Sequence, residues 1–194
     1  MKKNIVFLIK EIIPITLGIL IALFINNWNE RQKDKKYIAK IMISINEEMA
    51  ETSQSIAKNI PNEKKLIDTL DAYLLDDKMS LLEVVVKGDG LHMPSIKTNA
   101  WKSISNSKIE LLDYNLISAL ASIEEGKALL QFQAQNIANY LYQNAEDTGK
   151  FKKMTLKLMM WDVIRNVTDL DEEIQNLKKQ IAVTPTKVDS TAHQ

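Results

Sequence analysis

Cysteine is absent from this chain of 194 residues. Its absence excludes disulfide bonds, thiolate metal sites and a cysteine nucleophile, although it does not fix the cellular compartment. Glycine and proline are scarce, with five and four copies, so the composition favours helices over tight turns. Basic and acidic residues number 25 each, and a formal net charge of zero gives no general attraction to nucleic acid.

Residues that carry chemistry are equally sparse. The two histidines, His92 and His193, have no ligand spacing with each other, and no phosphate loop, nucleophile elbow or kinase signature occurs. We therefore expect no catalytic residue, no metal, no cofactor and no enzymatic activity. The loop Lys87–Pro94 with nearby Trp101 could form a ligand pocket, but a loop that covers a bundle with Trp101 as a core plug is the favoured interpretation.

One long apolar run is present near the N-terminus. No charge occurs between Glu11 and Glu30, and those 18 residues make a helix of about 27 Å against a hydrocarbon core of about 30 Å. Asn26, Asn27 and Trp28 follow the run, where tryptophan is typical of the membrane–water interface. The alternatives are a signal peptide, for which no small-x-small cleavage site is present, and a buried core helix. We predict a transmembrane helix over residues 1–28.

Two small residues share one face of that predicted span. Gly18 and Ala22 are four residues apart, the spacing at which two spans can pack closely. Chance is the alternative, since both residue types are common in membrane helices. Pairing of spans at this face is a hypothesis.

The rest of the chain has helical periodicity. The span is expected to continue as an amphipathic helix to Asn59, where Pro61 stops it. Further helices are predicted over residues 62–76, 80–86, 98–103, 111–144 and 153–182, with residues 84–86 readable as a strand instead. The predicted fold class is all-α: an N-terminal transmembrane helix continues into a membrane-tethered helical bundle over residues 29–182, with a heptad-repeat helix last. Residues 183–194 are predicted to be a disordered tail.

The last helix has a regular apolar seam. Its positions alternate in steps of four and three without a miss from Leu156 to Ile181, which is a heptad repeat. β-branched residues at a with leucine at d favour two parallel strands, so a parallel dimer is predicted through Val167, Leu170, Ile174, Leu177 and Ile181. The alternative is that this seam packs on the helix 111–144 of the same chain.

Two motifs resemble a known family. The run Glu11-Ile-Ile-Pro-Ile-Thr-Leu-Gly-Ile-Leu-Ile-Ala-Leu-Phe-Ile-Asn-Asn-Trp-Asn-Glu30 is similar to the signature of a bacterial family called domain of unknown function 6090. Thr98-Asn-Ala-Trp101 resembles a Thr-x-Ala-Trp motif in the middle of that family's domain. The resemblance implies a single-pass protein of the bacterial cell membrane and implies no activity.

The side of the membrane and the role follow less directly. Three lysines precede the apolar run and five basic residues follow it closely, which by itself predicts a cytoplasmic domain. The family's usual basic N-terminal extension implies the opposite orientation, and we follow it in predicting a periplasmic domain.

The predicted function is an interaction or sensory module whose partners are the lipid bilayer and another protein or a second copy. The alternative is an accessory subunit of a larger membrane complex.

Overall fold

The computed structural model describes the backbone of residues 2–183 and the side chains of residues 12–181. That part of the chain contains five α-helices, one short 3-10 helix and no strand, which confirms the all-α prediction. The elements are α1 (Lys2–Ala72), α2 (Leu81–Lys87), α3 (Asn99–Ser105), the 3-10 helix (Ile109–Leu111), α4 (Tyr114–Asn144) and α5 (Lys150–Val183). The predicted tail begins at Val183, which is helical, and its remainder lies outside the described residues.

The chain divides into two compact units. The first ends at Met42 and the second begins at Ile43. In the first unit, every described side chain from Ile12 to Arg31 is exposed. Among the described residues, one helix, α1, is long and apolar enough to cross a membrane, and its apolar window contains no buried residue.

The second unit is a helical bundle in which α5 lies antiparallel to the last part of α1. At one end Gln175 Nε2 donates to Ser53 Oγ over 2.9 Å. At the other end the Lys157 ammonium pairs with Asp71. Sequence numbers rise along α1 as they fall along α5, and apolar residues of both helices fill the space between these polar contacts.

α4 is also antiparallel to α5. Ser122 Oγ donates to Glu173 Oε2 over 3.0 Å, and Tyr140 Oη donates to the carbonyl of Lys152 over 3.1 Å. Between these contacts the helices approach closely at Gly126, where an added Cβ would lie 2.8 Å from Leu170 Cδ1. Glycine costs a helix about 1 kcal/mol relative to alanine. At position 126 glycine leaves room for the buried side chain of Leu170.

α1 runs through Pro61, so the predicted stop at Asn59 and the predicted second helix over residues 62–76 are wrong. The reason is burial: the apolar line of α1 keeps its helical steps past the proline, from Ile56 to Leu66 and Leu70. Pro61 and Ala57, four residues before it, are both exposed. The carbonyl left without a donor by proline can therefore bond to water, and packing beyond Pro61 offsets the loss.

A lysine from α5 satisfies carbonyl groups just beyond the end of α1. Lys153 is fully buried, and its ammonium donates to the carbonyls of Tyr73 and Asp76. Both carbonyls belong to the turn that follows α1, and the Tyr73 carbonyl also accepts from the Asp76 amide over 3.3 Å. The buried ammonium from α5 therefore holds this turn in place, which makes Lys153 a structural residue.

The two short helices begin where the sequence indicates. Ser80 starts α2 with a capping box: its hydroxyl accepts from the backbone of Glu83, and the Glu83 carboxylate accepts from the backbone of Ser80. The helical interpretation of residues 84–86 is thus confirmed. Thr98 precedes α3 as predicted, but its side chain makes no capping hydrogen bond there.

Candidate functional site

An extended segment, residues 88–98, lies along α1 in the antiparallel direction, and we call it the strap. Its Asp89 carboxylate pairs with Lys65 of α1. Further along, the Ser95 amide donates to Ser55 Oγ over 2.8 Å. The Lys97 amide donates to the fully buried Thr52 Oγ1 over 3.0 Å. Side chains of α1 therefore satisfy backbone donors of a segment that has no regular secondary structure of its own.

The strap begins with a tight turn. Asp89 has a φ of 69° and Gly90 a φ of 86°, the left-handed region that aspartate tolerates and glycine adopts freely. Just before the turn the chain passes close to α1: an added Cβ on Gly88 would lie 2.7 Å from Leu66 Cδ1 and 3.1 Å from its Cα. This approach favours glycine at position 88, because a larger residue there would require Leu66 to shift.

The strap ends in the Thr98–Trp101 motif, whose residues bind α1 and α4. The Ala100 amide donates to Glu48 Oε2 of α1 over 3.1 Å, so that a carboxylate from another helix occupies the start of α3. Trp101 Nε1 donates to Glu124 Oε2 of α4 over 2.6 Å. Lys127 Nζ of α4 donates to Thr98 Oγ1 over 3.2 Å, so the Thr98 side chain contacts α4 rather than its own helix.

Trp101 is 6% exposed, so its ring fills the core while its indole N–H binds a carboxylate. Glu124 Oε1 also forms an ion pair with Lys102 Nζ, and the two atoms are 3.4 Å apart. The interpretation of Trp101 as a core plug agrees with this geometry. The sequence pattern marked the residues of this motif but not the charged partners on α1 and α4.

Glu63 of α1 is the most unusual polar residue in the bundle. It is 1% exposed, and neither carboxylate oxygen has a hydrogen-bond partner. Burial raises the pKa of Glu63 to about 7, with the charge of His92 acting weakly in the opposite direction. An unpaired buried carboxylate is costly in its ionised form. Glu63 is therefore largely protonated below neutral pH.

The position of Glu63 follows from the helical repeat of α1. It lies seven residues after Ile56 and seven before Leu70, two fully buried residues. Because the first helix was predicted to end at Asn59, the heptad spacing from Ile56 to Glu63 was not recognised in the sequence. Extending the heptad spacing of α1 through Pro61 is the signal that would have found it.

A small open cavity lies between the strap and α4. Its volume is about 340 Å³, and it is lined by Met93, Pro94, Ser95, Ile96, Lys127, Leu130, Gln131 and Ala134. His92 and Asp89 do not line it; His92 Nε2 instead lies 2.8 Å from the carbonyl of Asp89. The loop Lys87–Pro94 and Trp101, considered together from the sequence as one pocket, do not line the same cavity: Met93 and Pro94 line it and Trp101 does not. In the part of the chain that the structure describes, no group of three or more potential metal-ligating side chains comes together.

The membrane-interface residues predicted from the sequence are on the surface of the first unit. Asn26, Asn27 and Trp28 are all exposed, as are Gly18 and Ala22. An added Cβ on Gly18 would meet nothing within 4 Å. Both the interface and the pairing of spans stay predictions.

The predicted self-association seam lies inside the bundle. Val167, Leu170, Ile174 and Leu177 are buried within the single chain, and Ile181 is half-buried. This is the arrangement that the alternative interpretation describes, with α5 packed on α4 of the same chain. A side chain without exposed surface cannot form a seam between chains, so any parallel dimer of this folded bundle needs a different surface.

A second apolar row on α5 is exposed, and we call it the outer stripe. It consists of Phe151, Met154, Leu158 and Trp161, which are 79%, 42%, 53% and 46% exposed. Periodicity alone does not show which of two apolar rows on a helix faces the core. The structure decides this, because one row of α5 is buried within the bundle and the other is exposed.

Comparison with protein-family models, with curated proteins and with solved structures finds no match for this chain. The family resemblance of the two sequence motifs therefore stays a prediction, and the argument about function depends on the geometry described here.

Proposed function

We propose that this chain is a single-pass protein of a bacterial cell membrane whose helical domain is an interaction module. The observation that supports this function is the placement of exposed apolar side chains. They form a lipid-length segment in the first unit and a narrow stripe on α5 in the second. Contiguous exposed apolar surface of this kind is typical of contacts with membranes and with other proteins.

The strap supports the same function. Together with the start of α3, it contacts Glu48 of α1 and Glu124 and Lys127 of α4, and these contacts hold the segments in one arrangement. An interaction module needs a surface that is already organised before binding, since ordering it during binding lowers affinity. The outer stripe lies on α5, which polar contacts hold against α1 and α4 near both of its ends.

An accessory subunit of a larger membrane complex is the second candidate. The observation that favours it is the open face at Gly18 and Ala22, where nothing in the described chain covers the small residues. Small residues on one face let another span approach closely. The partner in that case is a membrane protein rather than a second copy.

Capture from detergent-solubilised membranes tests the function and separates its two forms. Two copies of the chain with different tags are expressed together and crosslinked in the intact membrane before detergent is added. One tag is then captured, and the eluate is examined by mass spectrometry. Recovery of the second tag supports the module that self-associates, and one stoichiometric membrane partner supports the accessory subunit. Recovery of the captured copy alone, with neither the second tag nor a partner, contradicts both.

The predicted orientation has its own test. An alkaline phosphatase fused after Ala182 is expected to be active in cells, because that enzyme is active only outside the cytoplasm. A matched fusion after Met1 should then be inactive. An inactive fusion after Ala182, produced at normal amounts, contradicts a periplasmic domain.

A further inference from the structure

The outer stripe has the spacing of a helix-pairing seam. Phe151, Met154, Leu158 and Trp161 follow one another in steps of three, four and three, so they occupy successive a and d positions of a heptad. The buried seam, from Leu156 to Leu177, lies on the opposite side of the same helix and packs within the chain. Arg165, at the next a position, is exposed and ends the stripe.

The charges beside the stripe favour a partner with the same sequence. With Leu158 at a, Lys150 and Lys157 are at g and Asp162 is at e, so one side of the stripe is basic and the other has an acidic residue. In a parallel pair, the g residue of one helix meets the e residue of the following heptad on the other. Lys157 of each copy then meets Asp162 of the other, which gives two opposite-charge contacts. Antiparallel pairing instead brings like positions, and therefore like charges, together.

Both charges already have partners within the chain. Lys157 pairs with Asp71, and Asp162 pairs with Arg165 at 2.7 Å. Lys157 is 23% exposed and the other three groups are more exposed, and ion pairs in contact with solvent contribute little to stability. These internal pairs hold the two side chains beside the stripe without preventing new contacts, so the charges set the orientation of pairing while the apolar residues supply its affinity.

We propose that the outer stripe of α5 binds the same stripe of a second copy, forming a parallel homodimer through Phe151, Met154, Leu158 and Trp161. The proposal rests on the proposed function, in which the domain is an interaction module, and names its partner. A membrane surface is the less suitable occupant, since helices that lie on membranes have basic residues on both flanks of the apolar face. Here one flank has an acidic residue.

Four side chains over three helical turns make a small interface. A stable complex between freely diffusing proteins usually buries about 800 Å² on each partner, more than this stripe supplies. Confinement of both copies to one membrane raises their effective concentration and offsets this deficit. The dimer is therefore expected to be stable in membranes and to dissociate when the protein is diluted in detergent.

Disulfide formation in native membranes tests the proposal, because the chain has no cysteine of its own. Leu158→Cys places a thiol at an exposed a position, which faces its own copy across a parallel pair. The matched control is Ser118→Cys, at an exposed position of α4. After mild oxidation, Leu158→Cys should give a covalent dimer of two chains and Ser118→Cys should remain a monomer.

Charge reversal in the Leu158→Cys background tests the orientation. Lys157→Glu or Asp162→Lys alone should lower the crosslinked yield about three- to tenfold, since each creates two like-charge contacts. The two changes together should restore it. An antiparallel pair or a partner of a different sequence predicts no such restoration.

Each remaining outcome has one meaning. A Leu158→Cys chain that sediments with membranes, resists protease as the parent chain does and gives no covalent dimer overturns the proposal. A covalent product with a different protein, or quenching of a dye at position 158 by lipid-borne quenchers, also overturns it while the interaction module survives. Capture that recovers neither a second copy nor another protein contradicts the proposed function itself.

Discussion

Replacing Glu63 by glutamine removes an ionisable group from the core of the bundle while it keeps the size and shape of the side chain. In the folded chain the Glu63 pKa is about 7 instead of the usual 4.5, because burial disfavours the charged form. Below about pH 4.5 the carboxyl group is neutral whether the chain is folded or unfolded. Between 4.5 and 7 it ionises only in the unfolded chain, so stability is lost as the pH rises through this window.

The size of the loss follows from the shift. One pKa unit corresponds to about 1.4 kcal/mol, so the change from 4.5 to about 7 lowers the free energy of unfolding by about 3 kcal/mol. Above the folded-state pKa both states are ionised and the loss is complete. Three exposed carboxylates, Asp76, Glu83 and Asp89, have lowered pKa values from hydrogen bonds or a lysine partner and contribute in the opposite direction. Their contribution is the same in the parent chain and in Glu63→Gln, so it cancels in the difference between the two free energies of unfolding.

Urea unfolding of the full chain in non-ionic detergent, followed by circular dichroism, measures this difference. The free energy of unfolding of Glu63→Gln minus that of the parent chain should increase by about 3 kcal/mol between about pH 4 and pH 8. Glu47→Gln, an exposed change on the same helix, should show no such trend. A difference that stays constant with pH would refute the reasoning that Glu63 is buried without a partner, whatever the absolute stabilities are.

Three further variants test the contacts of the bundle by the same unfolding measurement. Trp101→Phe should lower the free energy of unfolding by about 1–2 kcal/mol, because the part-buried Glu124 carboxylate loses its indole donor and keeps only its ion pair with Lys102; an unchanged value would mean that water replaces the indole. Gly88→Ala should cost about 1–3 kcal/mol, because its Cβ would contact both the backbone and the side chain of Leu66, and a neutral result would show that the strap moves. Lys153→Met should cost about 1–3 kcal/mol by removing the buried ammonium that donates to the part-buried carbonyls of Tyr73 and Asp76, whereas the exposed Lys150→Met should change stability by under about 0.5 kcal/mol; equal effects would contradict the assignment.

Regular patterns made most of the helices predictable. The α5 seam from Leu156 to Leu177 repeats without a miss, and each of its residues is buried as an inward face requires. The capping box at Ser80 depends only on neighbours within three residues, so the local sequence contained all of its information. Pro61 was misleading for the same reason: its local cost is real, but the burial that outweighs it comes from segments that are far away in sequence.

The strap and its contacts were less predictable. Glycine at positions 88 and 90 marks a loop, yet nothing in the sequence pairs Lys97 with Thr52 or Trp101 with Glu124. Such contacts between distant segments depend on how the helices pack, and periodicity says which side of a helix is inward but not what it meets. For that reason the sequence could not show whether the heptad seam packs within the chain or against a second copy, since both arrangements require the same pattern.

Anchoring of the chain by its first helix is the central claim, and extraction of washed membranes at alkaline pH tests it most directly. The parent chain and Gln32→Arg, a change outside the apolar run, should stay with the membrane. A variant with arginine at both Leu17 and Leu20 should be released, since each charge at the centre of a span costs about 2.5–3.5 kcal/mol. Release of the parent chain into the soluble fraction, or full retention of the double arginine variant, would contradict a membrane-spanning α1.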